Sequence, residues 1–186
     1  MCLSISIIHQ NTYAIISSVI YTISVIMLYT MSSVYHGLNP KYKAKKVLQI
    51  IDHCSIFVLI AGSYTPFCLV TFRNYDIGLG FGMFALVWGM AILGIVLNAI
   101  DIKRYKVISM LCYLVMGWCI IFKIQILPEL ITMPGFILLL LGGIVYTIGA
   151  VLYGIGTKIK YMHSIFHLFI VLASILQFMC IFLYVL

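Results

Sequence analysis

Charge is what this sequence has least of. Only 8% of its 186 residues are Asp, Glu, Lys or Arg, against 65% apolar residues and a mean hydropathy of +1.21. Soluble domains carry about 25% charged residues, so the polar surface is too small to wrap a water-soluble globule. Paired cysteines are absent as well. Cys2, Cys54, Cys68, Cys112, Cys119 and Cys180 form no CxxC pair and lie almost entirely in apolar runs, where they read as small packing residues, not as disulfides or zinc ligands. The amino-terminal MCLSISIIHQ has no basic residue ahead of its short apolar stretch, which predicts no cleaved leader. A phosphate-binding glycine loop requires a preceding strand, so the string GLGFG (Gly78 to Gly82) does not indicate a nucleotide.

Long apolar runs are what the sequence does have. They cover roughly 13–35, 47–72, 77–99, 107–126, 134–156 and 161–186, and about 20 apolar residues suffice to cross a hydrocarbon core. The runs are continuously apolar, unlike the alternating strands of a barrel. Helices satisfy their own backbone hydrogen bonds in lipid. The expectation is an all-α, polytopic membrane helical bundle of six spans, one domain over residues 1–186, with no separate soluble domain.

The formal net charge is +7, yet the cations are dispersed between apolar runs, which argues against nucleic acid as a partner. Lys41, Lys43, Lys45 and Lys46 follow the first run, Lys103, Arg104 and Lys106 the third, and Lys158 and Lys160 the fifth. The opposite face has Arg73 and Lys123. The positive-inside rule therefore puts the lysine-bearing loops in the cytoplasm and the start of the first run outside, in a multi-pass protein of the cell (plasma) membrane. Anionic lipid is a secondary expectation for the Lys41–Lys46 cluster.

Tyr13, Tyr35, Tyr75, Tyr105, Tyr153, Tyr161 and Tyr184 fall near the run boundaries as an interfacial belt; Trp88 and Trp118 do not. Glycines inside the third and fifth runs (Gly78, Gly80, Gly82, Gly142, Gly143, Gly149, Gly154, Gly156) imply close helix packing. Pro66 removes a backbone donor and is expected to bend the second span, with Gly62 easing the distortion.

Ionisable groups inside spans carry the chemistry, because an Asp at mid-bilayer costs about 2.5 to 3.5 kcal/mol on insertion scales. Asp52 is the only acid within a span. Ser32 and His36 lie four apart at the end of the first run, and His163 and His167 four apart at the start of the sixth, so each pair shares a helix face. The loop charges bring all five residues to one cytoplasmic depth. Three imidazoles and a water form an open tetrahedral zinc site of the catalytic kind, and zinc lowers the pKa of such a water to about 7. Asp52 then holds or deprotonates the water, and Ser32 hydrogen-bonds it or a developing oxyanion. Any one histidine alone is better read as a packing residue; the convergence of three spans favours the metal. His53, about 100° from Asp52 on an ideal helix, and His9 keep the packing reading.

At these residues the chain resembles the hemolysin III family, within the progestin and adipoQ receptor superfamily that includes the adiponectin receptors. The strings are SSVYH (Ser32 to His36), IDHCSIFVLIAGSYTPF (Ile51 to Phe67) and HSIFHLF (His163 to Phe169). The resemblance implies that His36, His163 and His167 are zinc ligands, that Asp52 holds the zinc-bound water, and that Ser32 stands beside it. It also implies a seven-helix bundle with a cytoplasmic amino terminus, of which the first helix is missing here. Three activities are then in play: a zinc-dependent, ceramidase-like hydrolase of lipid amides or esters, a cytolytic hemolysin, and a receptor or sensor of membrane lipid state. No span has the regular polar stripe of a channel wall, and no extracellular ligand domain is recognisable.

Overall fold

The computed structural model describes residues 2, 4, 6, 11–39, 41–102, 104–155 and 162–186, without the side chains of 106, 153–155 and 162–164. The described residues contain no strand. Six helices correspond to the six apolar runs: α1 (Thr12–Gly37), α2 (Ala44–Pro66), α3 (Ile77–Asp101), α4 (Lys106–Trp118), α5 (Leu127–Ile155) and α6 (Met162–Tyr184). Among the described residues five apolar segments are long enough to cross a membrane, namely Thr12–Gly37, Ala44–Tyr75, Ile77–Asp101, Leu127–Leu152 and Ile165–Tyr184. The chain is an α-helical, multi-span membrane protein.

The fourth run behaves differently. Its α-helix stops at Trp118 and tightens into a 3-10 turn over Cys119–Lys123. Val107–Lys123 is apolar but shorter than the five segments above, so five of the six expected spans are long enough to cross among the described residues.

The helices pack as two units, one containing Leu3–Met116 and the other Gly117–Leu186. In the first unit, Asn11 starts α1 by accepting hydrogen bonds from the Tyr13 and Ala14 amides (3.1 and 3.3 Å). Asp76 starts α3 through the Leu79 amide (2.6 Å). Both are side-chain N-caps that satisfy otherwise orphaned donors. Only the short connection 38–43 joins α1 to α2, so the two run antiparallel. Lys45 closes this hairpin: its Nζ donates to Leu38 O (2.6 Å) beside the carbonyl end of α1 and lies 5.1 Å from the centre of the Tyr35 ring.

Two glycines are required by close approach. A Cβ at Gly62 would fall on Ser24 Oγ and within 2.6 Å of Ser24 Cβ, so only glycine allows α1 and α2 to meet there. A Cβ at Gly80 would lie 2.7 Å from Arg73 Cα, Arg73 N and Cys68 O, all backbone. Gly142 and Gly149 face Gln177 and Phe169, as packing glycines should, whereas Gly82 meets open space. Gly156 lies outside the described residues.

Pro66 acts on winding. Lacking an N–H, it cannot bond to the carbonyl four residues back, and the chain continues as a π-helix over Phe67–Phe72 before a last α turn, Arg73–Tyr75. The Arg73 guanidinium sits 3.6 Å from the Tyr13 ring centre, and Tyr13 meets Phe81 edge-on at 6.4 Å, which ties together the starts of α1 and α3 and the end of the second span.

The two tryptophans that miss the interfacial belt have partners of another kind. Trp88 Nε1 donates to Thr65 Oγ1 (3.1 Å), which donates to Ala61 O (2.8 Å). Trp118 Nε1 donates to Thr147 Oγ1 (2.9 Å), which donates to Gly143 O (2.8 Å). Each indole is satisfied by a hydroxyl that is itself satisfied by its own helix.

In the second unit, α5 begins with a break. Thr132 has φ 62° and ψ 161°, a region nearly reserved for glycine. The continuous helix follows with Pro134 in its first turn, where no amide donor is needed. Helices α5 and α6 are joined by Tyr146 Oη to Ser174 Oγ (2.7 Å), Gln177 Nε2 to Leu139 O (3.4 Å) and Cys180 Sγ to Gly135 O (3.2 Å).

Candidate functional site

Asp52 is 7% exposed and is the only ionisable residue among the buried polar side chains of the described residues apart from hydroxyls and one amide. It lies in the third turn of α2. Its backbone carbonyl accepts a hydrogen bond from Ser55 Oγ (2.6 Å), but its carboxylate accepts none from a described residue. Among the described residues the basic group within ionic range is His53 Nδ1, 3.8 Å from Asp52 Oδ2 and itself 2.9 Å from Gln49 O. Ideal helical spacing turns His53 away from Asp52; the ring folds back along the helix and comes within ionic range when protonated.

The Gly62–Ser24 contact fixes the depth of the neighbouring residues. Counting from it toward the 38–43 connection at 1.5 Å per residue, Ser32 lies about 12 Å along α1, His36 about 18 Å along α1, and Asp52 about 15 Å along α2. Asp52 is therefore bracketed in depth by Ser32 and His36. Ser32 is half-buried and His36 exposed, with the Tyr35 and His36 ring centres 4.7 Å apart in an edge arrangement. The hairpin pinned by Lys45 brings these three residues to one end of the first unit.

His163 and His167 lie in the first two turns of α6, in the second unit. His167 is half-buried, its ring 5.2 Å from that of Phe166; the His163 side chain is outside the described residues. The candidate set thus divides into Ser32, His36 and Asp52 on one unit and the two remaining histidines on the other. Among the described residues no group of three or more His, Cys, Asp or Glu gathers into a metal-holding cluster. The Lys41–Lys46 cluster borders the first part, while Lys103, Lys158 and Lys160 lie outside the described residues, as does His9.

Sequence reasoning missed a second polar group next to Asp52. Asn98 is 1% exposed and Ser109 4%. Ser109 Oγ donates to Asn98 Oδ1 (2.5 Å), Asn98 Nδ2 donates to Tyr113 Oη (3.3 Å), and Tyr113 Oη donates to His53 O (2.8 Å). The Tyr113 ring lies 4.3 Å from that of Phe57, which is fully buried. The one signal available was Asn98, a polar amide near the end of an apolar run.

A buried Asp52 at the depth of Ser32 and His36, among apolar helices long enough to cross a membrane, defines a multi-span membrane protein with polar residues inside its helices. The profile of the family described as "Haemolysin-III related" matches residues 1–178. Hemolysin-3 of Bacillus cereus is 39% identical over 178 residues, covering 96% of this chain and 79% of that protein. The Hemolysin-3 homolog of Bacillus subtilis (strain 168) is 40% identical over 176 residues, 95% of this chain and 80% of that protein. Human Monocyte to macrophage differentiation factor is 27% identical over 177 residues, 91% of this chain and 70% of that protein. No solved structure matches the chain. The chain belongs to the haemolysin-III related family.

Proposed function

We propose that this protein is a zinc-dependent intramembrane hydrolase of lipid amide or ester bonds, resident in the plasma membrane. The observation that carries the reading is Asp52: a largely buried side chain, 11% exposed, whose carboxylate has no hydrogen-bond donor among the described residues, level with Ser32 and His36. A buried carboxylate is costly unless it is paired or has work to do. The donor set also suits zinc, since imidazole nitrogens are among its usual ligands. His36, His163 and His167 would hold the metal, which when bound supplies Lewis acidity and lowers the pKa of water to about 7. Asp52 orients the attacking water, takes its proton as the oxygen adds to the carbonyl carbon, and returns a proton to the leaving amine or alcohol. Ser32 donates a hydrogen bond to the oxygen that becomes negative. The lipid-exposed helices deliver a substrate already dissolved in the bilayer.

The test is purified protein in vesicles, offered a panel of ceramide-like amides and lipid esters. Product is expected with zinc, is lost on chelation and returns when zinc is restored; product that ignores chelation would remove the metal from the account.

The reading also needs the site to face the cytoplasm, as the lysine-bearing connections suggest. Single cysteines placed at Lys43, Lys103 and Lys158, with reactive native cysteines removed, are expected to label in intact cells only with membrane-permeant thiol reagents. Labelling by an impermeant reagent would reverse the orientation.

A further inference from the structure

We infer that Asn98, Ser109 and Tyr113 are positioning residues for Asp52, holding α2 from the side of α3 and α4 so that the carboxylate stays at the level of Ser32 and His36. The inference deepens the hydrolase reading and rests on it. Each polar atom in the chain of contacts has a directional role. Ser109 Oγ donates to Asn98 Oδ1 at 2.5 Å, which turns the amide so that its Nδ2 donates to Tyr113 Oη at 3.3 Å. With its lone pair so used, the Tyr113 hydroxyl directs its proton to His53 O at 2.8 Å. That carbonyl belongs to the residue after Asp52. One residue further, Cys54 Sγ donates to Ile95 O at 3.8 Å, so α3 and α4 grip two consecutive residues of α2.

Burying Asn98 and Ser109 in an apolar bundle is unfavourable unless every donor and acceptor finds a partner. A leucine at position 98 would avoid that cost and still fill space. What the polar chain adds is direction: a hydrogen bond to His53 O fixes both the rotation of α2 about its axis and its sliding along α4, and apolar packing against Phe57 alone fixes neither so tightly. A displacement of about 1 Å in a reacting group is enough to cost on the order of a hundredfold in rate.

The experiment measures lipid hydrolysis and backbone amide exchange over Asp52–Phe57 in wild type, Tyr113→Phe, Asp52→Asn and the double variant. Tyr113→Phe keeps the ring and its contact with Phe57 and removes only the hydroxyl. It is expected to lower kcat roughly ten- to hundredfold with KM unchanged, and to speed exchange over Asp52–Phe57 more than elsewhere in α2. In the Asp52→Asn background the same change is expected to have little further effect on kcat, because a residue that acts through Asp52 has nothing left to position. Full additivity of the two losses, or unchanged exchange in Tyr113→Phe, would overturn the inference and assign the chain of contacts to stability alone. A second variant, Asn98→Leu, guards against a local effect of the tyrosine and is expected to reproduce the same kcat loss. If wild type hydrolyses nothing, the hydrolase reading fails by itself; the exchange measurement then still decides whether the Tyr113 hydroxyl holds the Asp52 turn.

Discussion

Replacing Asp52 by alanine is expected to lower lipid hydrolysis by about 10² to 10⁴-fold, the usual contribution of a placed general base, while leaving an inserted, folded protein. The stability half of this prediction follows from the burial of Asp52. A side chain at 11% exposure, with its ionic partner among the described residues 3.8 Å away, contributes little net stabilisation and pays a desolvation cost. On the hydrolase reading its removal takes away the chemistry at the structural cost of a small void. The Ser55 hydroxyl bonds the backbone of residue 52 and not its side chain, so the helix keeps that contact in the variant. Solubilised yield and thermal midpoint, measured beside turnover, separate the two effects. A midpoint that collapses together with activity would make Asp52 a structural residue.

The second large effect concerns metal content. His36→Ala, His163→Ala and His167→Ala are each expected to reduce bound zinc from about one per chain to a small fraction of that, because loss of one of three imidazoles leaves a set with too few donors to hold the ion. Metal affinity couples to folding, so each variant should also melt earlier than wild type in zinc and resemble wild type in chelator. Asp52→Ala is expected to retain more zinc than any histidine variant, since on the hydrolase reading the carboxylate would act through water. Elemental analysis that finds about one zinc in all three histidine variants would place the metal elsewhere.

How much of this was legible in the sequence depends on the kind of signal. The spans were, because an apolar run of bilayer length has few other solutions; α1 and α3 begin within a residue of their expected starts because Asn11 and Asp76 cap them. The fourth run was legible as an apolar helix but not as one shorter than the other five. Its change to a 3-10 turn at Cys119–Lys123 is a matter of local backbone winding, which hydropathy does not encode. Pro66 announced a disturbance, and the structure makes it a π-helix over Phe67–Phe72. His36 and Asp52 stood out because ionisable groups in lipid are rare, and Ser32 because it lies four residues before His36. Asn98, Ser109 and Tyr113 were not, because an amide and two hydroxyls are unremarkable until the fold connects them to His53 O. Trp88 and Trp118 misfit the belt rule for a similar reason: their threonine partners lie 23 and 29 residues away in the chain.

The most direct measurement is made on one preparation of vesicles containing the purified wild-type protein, a trapped dye and a broad panel of lipid amides and esters. It reads fatty-acid release and dye escape from the same sample, with empty vesicles as the reference. The hydrolase account predicts zinc-dependent fatty-acid release with dye retained. Dye escape without any zinc-dependent product would contradict it and favour membrane permeabilisation, the activity that the names of the Bacillus relatives suggest.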